Sequence, residues 1–428
     1  MASVYVTEGT TSQDFSDGRG INSIEKSQAV SDGTPTKETF EDESPAPVVT
    51  VKTWIVCVVG YGLSFWPVPV LSAIGAEVAT DLGDPTANAW YVSAWTIAIT
   101  ISFLWFGPLT DLLGRRWFLV GGNFITFIGH IVVGSAKYSS NGANQITAGM
   151  TIIGFGGALC QMAAFSLPEL LPNAWRHIGV VIADLVVYIT VIVAPVTARF
   201  AYQYGTWDWN FWGMANFQFL SFLGLLLLYF PPAHPSGEAT SRVMKDIDYL
   251  GIASSGPGIV LVLMGIVWAG SYESSNPHVV ATLVVGFAFI IAFALWEHFG
   301  KLKHPLAPRH IFTSSNGRDF LAPAIALGVI NMTYYAASIL WPTMITKFYT
   351  SGGTDWRYAV ILSLPQGFGI LLGAAGLTLF GSKIRHWQWQ LTASTFIMVL
   401  LGSLLGLVTP TNKGTMIALL FLSQVGFG

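Results

Sequence analysis

The sequence predicts an all-α, polytopic membrane protein, and three observations carry that expectation. Only 10% of the 428 residues are charged while 52% are hydrophobic, with mean hydropathy +0.57; an ordinary soluble domain carries about 25% charged residues. The charges are unevenly spread: residues 1–50 hold three Lys or Arg and nine Asp or Glu, and only 31 charges remain for the other 378 residues. That charge-poor body breaks into apolar runs of about 20 residues, the helix length that crosses a hydrocarbon core about 30 Å thick.

In chain order, the first element is an acidic tail over 1–50, rich in Ser, Thr and Gly and without the apolar core of a secretory signal. Low hydropathy and high charge predict a disordered cytoplasmic tail. Six spans follow near 53–74, 89–110, 117–136, 145–166, 178–200 and 211–231, and Trp66-Pro67-Val68-Pro69 is expected to kink the first. Five more lie near 249–270, 278–298, 319–346, 356–381 and 389–408. A last apolar run starts near Thr415 and has 14 residues to Gly428. At 1.5 Å per residue these reach about 21 Å, so the chain reads as a C-terminally truncated fragment.

Lys and Arg in short loops set orientation. With the N-terminus cytoplasmic, twelve fall inside (Lys52, Arg115, Arg116, Arg176, Arg242, Lys245, Lys301, Lys303, Arg309, Arg318, Lys383, Arg385) and five outside (Lys137, Arg199, Lys347, Arg357, Lys413). Cys57 and Cys160 sit in apolar runs and read as small buried hydrophobes rather than a disulfide or metal ligands. No zinc spacing, phosphate-binding glycine loop or nucleophile elbow occurs, and no basic run suggests nucleic acid. The expectation is no cofactor, no metal and no enzyme activity.

Two weak repeats share an offset. Gly154-Phe155-Gly156 recurs as Gly426-Phe427-Gly428, 272 residues on, and the glycine-rich basic turn opening at Gly107 is matched from Gly381, 274 residues on. They align the second span with the tenth and the fourth with the twelfth. An offset of eight spans implies six-helix halves separated by two inserted helices, and a complete protein of fourteen spans. The resulting boundaries are 51–231 for the N-terminal half, 232–318 for linkers and inserted helices, and 319–428 for an incomplete C-terminal half. Six-helix repeats related about the membrane normal occur in transporters, with the substrate site between the halves.

Between the second and third spans stands Gly107-Pro108-Leu109-Thr110-Asp111-Leu112-Leu113-Gly114-Arg115-Arg116. Read physically, Gly107 allows close helix approach, Asp111 sits where a helix meets water, Gly114 allows a tight turn, and Arg115 and Arg116 are interfacial cations. The string resembles motif A of the major facilitator superfamily, Gly-x-Leu-x-Asp-x-x-Gly-Arg-Arg/Lys, at every defining position. The resemblance implies two six-helix halves that rock, with this loop latching them on the cytoplasmic side. Glu169 and Arg176 in Pro168-Glu169-Leu170-Leu171-Pro172-Asn173-Ala174-Trp175-Arg176 have the Glu-x6-Arg spacing of the matching loop in many facilitators, for bracing or for gating.

Ala194-Pro195-Val196-Thr197-Ala198-Arg199 resembles a degraded antiporter motif, Gly-Pro-x-x-Gly-Gly, from which Arg199 departs. Met150 stands where many drug:proton antiporters carry an arginine. The inserted pair, the glycine-rich fourth span, the Pro-Glu-Leu-Leu-Pro-Asn loop and Trp207-Asp208-Trp209 together resemble the fourteen-span fungal drug:proton antiporters, the trichothecene efflux pump group above all. Siderophore transporters share several of these signals.

An ionisable side chain inside the bilayer is a functional candidate. Asp184, seven residues into the fifth span, reads either as a proton carrier or as a structural partner of Arg176. Gln161, Asn331, Tyr334 and Gln366 fall on helices that line the cavity in the resembling family, as substrate contacts or as interhelical hydrogen-bonding groups. The expected function is proton-coupled efflux of amphipathic organic compounds by a monomer in the plasma membrane. Siderophore-iron uptake is the alternative on the same fold, and a non-transporting membrane sensor is the alternative of another class.

Overall fold

Every apolar run becomes a helix. The structure, a computed structural model, describes residues 51–165, 176–230, 246–273, 275–300, 302–307, 317–350, 355–380 and 387–428, all within one unit, Ala46–Gly428. The acidic tail lies outside the described residues. The helices are α1 Val51–Phe65, α2 Pro67–Asp81, α3 Asn88–Leu113, α4 Arg116–Ser135, α5 Gly142–Gln161, α6 Arg176–Gln203 and α7 Trp209–Leu228. They continue with α8 Tyr249–Ala269, α9 Pro277–Phe299, α10 Gly317–Met344, α11 Trp356–Phe380, α12 Trp387–Ser403 and α13 Lys413–Phe427. Among the described residues, 11 helical segments are long and apolar enough to cross a membrane, while α13 is shorter.

The first span breaks at Trp66, where Pro67 and Pro69, two residues apart, each remove a backbone donor. Its second piece, α2, runs to Asp81, seven residues past the expected end, because nothing between 74 and 81 breaks a helix. Glu77 therefore lies within the candidate span Thr53–Asp81, beyond the end near 74 expected from the sequence.

Helix α4 packs on α5 and α7, α3 on α5, and α1 on α6 and α7. Glycine sets the closest of these approaches. Gly122 and Gly129 of α4 face Gly156 and Gly149 of α5 at matching seven-residue spacings, and a Cβ on Gly156 would stand 2.8 Å from the Gly122 carbonyl oxygen. A second group forms as α11 and α12 pack on α13, with α10 on α12. The Gly-Phe-Gly strings each admit two neighbouring helices, but with the roles of their glycines exchanged. A Cβ on Gly154 would overlap the Trp95 carbonyl of α3 and one on Gly156 would crowd α4, while in the second string it is Gly428 that closes on α11 and Gly426 that lies near α12.

The groups meet where α6 packs on α11 and α2 on α10. Gly367 of α11 has no room for a Cβ against Ile192 of α6. The α8–α9 hairpin packs against α3, through Trp90 on Trp268 at 6.2 Å and Trp105 Nε1 donating to Ser255 Oγ at 3.3 Å. Much of α9 stays uncovered, with Val284, Phe287, Ile291 and Leu295 exposed; an apolar face of this kind suits lipid rather than water.

Candidate functional site

At one end of the bundle, α3 stops where Gly114 takes φ 85° and ψ 145°, backbone angles that disfavour any residue with a Cβ. The stop lets Asp111, on the last turn of α3, accept from Arg115 Nη2 at 3.0 Å. Arg116 turns the other way: it donates to the Leu226 carbonyl at 3.3 Å and its guanidinium lies 4.0 Å from the Phe230 ring centroid, tying this turn to the end of α7. The close approach expected at Gly107 is not found, because a Cβ there meets nothing within 4 Å; the tight glycine contacts lie instead along α4 and α5. Glu169 and the side chain of Arg176 lie outside the described residues.

About a third of the way along their spans, α1 and α6 approach so closely that a Cβ on Gly62 would overlap Val186. That proximity brings Tyr61 Oη to Asp184 Oδ1, to which it donates at 2.7 Å. Tyr335 of α10 reaches the same stretch of α1, its ring centroid 6.5 Å from that of Phe65. The embedded acid is thus tied to α1 beside residues of the second group.

Next along the seam lies a small cavity of about 20 Å³ between α1, α2, α6, α10 and α11, walled by Phe65, Tyr334, Tyr335, Trp341, Gln366 and Arg199 among others. A space of that size holds about one water. Tyr334 is buried and stacks on Phe427 at 4.4 Å, and Gln366 Nε2 donates to Ser338 Oγ at 2.6 Å. These two sequence candidates do meet. Gln161 and Asn331 line none of the described cavities; Gln161 ends α5, and Asn331 Nδ2 donates back to the Leu327 carbonyl of its own helix at 2.9 Å.

Sequence reasoning missed two features. The first is Arg199, counted as an outer-loop cation. It falls inside the expected 178–200 span, four residues before α6 ends at Gln203, and its side chain stays in the bundle, only 8% exposed. The second is a cavity of about 420 Å³ between α2, α3, α8 and α10, walled by Glu77, Ser93, Thr96, Leu263, Ile266 and Thr346 among others. That volume suits a drug-sized organic molecule. The available signal for the first was that Arg199 falls inside the apolar run 178–200, four residues after Pro195; nothing in the sequence assigned α8 to a cavity wall.

Two helix groups that meet along a seam, with an aromatic cavity and a tyrosine-bonded acid at the seam, define a membrane transporter of the major facilitator type. Solved structures share the fold: a peptide transporter of the POT type in complex with alafosfalin (TM-score 0.57, 14% identity, 87% of this chain and 78% of that one) and a D-xylose–proton symporter (TM-score 0.53, 13% identity, 88% and 80%). More particularly, the chain belongs to the fungal trichothecene efflux pump family, whose model matches residues 43–428. It is 62% identical to the MFS-type transporter prx5 of Penicillium rubens over 390 residues, 90% of this chain and 69% of that protein. It is 24% identical to the trichothecene efflux pump TRI12 of Fusarium sporotrichioides and 26% identical to that of Trichoderma arundinaceum. The matched stretches span 57% and 55% of those two relatives' lengths. These relatives are transporters, not enzymes.

Proposed function

We propose that the protein exports amphipathic organic compounds in exchange for protons, by alternating access at the seam between the two helix groups. The observation that carries this reading is Asp184, an acid inside a candidate span, hydrogen-bonded to Tyr61 next to the seam. Such a group binds a proton from one side and releases it to the other when the seam opens. One proton moving through 100 mV yields about 2.3 kcal/mol, and a tenfold gradient costs about 1.4 kcal/mol. One proton per cycle thus supports a compound gradient of roughly fiftyfold.

In this account residues 51–231 form one half, 319–428 belong to the other, and α8 and α9 are inserted between them. Gly107, Asp111, Gly114, Arg115, Arg116, Glu169 and Arg176 latch the cytoplasmic side, with the N-terminus cytoplasmic, in a monomer of the plasma membrane. Tyr334 and Gln366 touch the compound at the seam. Gln161 and Asn331 would reach it only after the seam opens. Relatives named as trichothecene efflux pumps support export over uptake, and support a toxin-like substrate. The test is transport by the product of the complete reading frame in yeast stripped of its own drug pumps. Extrusion of a radiolabelled trichothecene is expected; uptake of an iron–siderophore chelate, or no flux of either, would refute the reading.

A further inference from the structure

Arg199 is the least explained charge among the described residues. It is 8% exposed, and its Nε and Nη2 are buried without a hydrogen-bond partner. No carboxylate of the described residues lies within ion-pair distance of it. An arginine does not shed its proton, so a buried guanidinium with idle donors is costly unless something covers them at some point in the working cycle. Arg199 walls both the small aromatic cavity and a second cavity of about 90 Å³, formed by α2, α6, the turn after α10 and the start of α11.

The chemistry of this second cavity specifies its occupant. Glu77, Tyr202, Thr346, Thr350 and Trp356 share its wall. The hydroxyl protons there are committed: Tyr202 donates to Asp81, Thr346 to the Pro342 carbonyl and Thr350 to the Ile345 carbonyl. The buried donors left free are those of Arg199, so the occupant must present an acceptor. Glu77 already brings a negative charge to the same cavity, so a second anion is disfavoured and a neutral acceptor is not. The volume is well below that of a drug-sized site, so the cavity takes one functional group of a larger molecule. Glu77 and Thr346 also wall the 420 Å³ cavity, where an apolar body has room.

We propose that Arg199 is a recognition site for a carbonyl-type oxygen of a neutral, apolar compound. This rests on the transport reading only in calling that compound a substrate. The test is equilibrium binding to the purified product of the complete reading frame in detergent, with no proton gradient. The probes are nootkatone and valencene, bicyclic terpenes of one skeleton with and without a ketone, and abietate, a terpenoid carboxylate. The wild type is expected to bind nootkatone at least tenfold tighter than valencene. Arg199→Gln should bring the two within about twofold, and Arg199→Lys, which keeps the charge and a donor, should restore part of the difference. Equal wild-type affinities, no binding of nootkatone, or tighter binding of abietate would each overturn the proposal, whether or not the variants fold. Because binding needs no gradient, selective binding without export would refute the transport reading and leave this site standing, while export with unselective binding would do the reverse.

Discussion

Replacing Gly156 with valine tests the packing logic of the first helix group. The first added carbon would lie 2.8 Å from both the Gly122 carbonyl oxygen and the Thr126 nitrogen, and 2.6 Å from Thr126 Oγ1. Ordinary carbon contacts begin near 3.4 Å, so α4 and α5 must part by about 0.6 Å before the two valine methyls are placed. Overpacking of this kind costs about 1–3 kcal/mol, and valine at a site closed by backbone belongs at the upper end. The better helix propensity of valine over glycine returns only about 0.4 kcal/mol. A net loss of about 2–3 kcal/mol should lower Tm by about 5 °C, read from the intrinsic fluorescence of the purified protein on heating in detergent. Gly107→Val is the matched control, since nothing lies within 4 Å of its Cβ position, and its Tm should stay within about 1 °C of wild type. A Gly156→Val protein as stable as wild type, or a Gly107→Val protein equally damaged, would refute the reasoning.

Other outcomes follow from the same geometry. Arg115→Ala removes the pair with Asp111, whose carboxylate is largely exposed; such pairs are worth under about 1 kcal/mol, so Tm should barely move while turnover falls, and unchanged turnover would remove this pair from the latch. Trp356→Ala deletes the edge-to-face contact with Phe200 at 4.8 Å, worth about 0.5–1.5 kcal/mol. A cysteine placed at Thr350 should then react with a membrane-impermeant maleimide several-fold faster, and no change would show that this contact does not hold that end closed. Gln366→Leu, which breaks the bond to Ser338, should change the KM for export several-fold with little effect on Tm; an unchanged KM would exclude Gln366 from the compound's path.

Much of the fold was legible because a bilayer demands long apolar helices, and the sequence punctuates them with glycine, proline and charge. Helix ends were less legible. Helix α2 overruns the apolar run that announces it, which brings Glu77 to cavity walls, and Arg199, within the expected 178–200 run yet counted with the outer cations, is buried in the bundle. The Gly-Phe-Gly repeat was visible as a string, but its meaning was not. Each of its glycines admits a different neighbouring helix, and only tertiary contacts show which. Gly107 is the opposite case, a motif glycine that presses on nothing within 4 Å. Asp184 could be picked out because an acid in an apolar run is conspicuous, whereas its partner Tyr61 comes from a helix 123 positions away in sequence. Of the cavity candidates, Tyr334 and Gln366 meet at the seam, and Asn331 is taken up by its own helix backbone; helical register on one span does not say which face the next group covers.

The central claim is that Asp184 carries the proton that drives export. It is tested most directly in proteoliposomes holding the Asp184→Asn product of the complete reading frame, where asparagine keeps the size and can still accept from Tyr61. Movement of a radiolabelled trichothecene driven by an imposed pH gradient should vanish, while exchange of labelled for unlabelled compound at equal pH should persist. Gradient-driven movement at the wild-type rate would contradict the account.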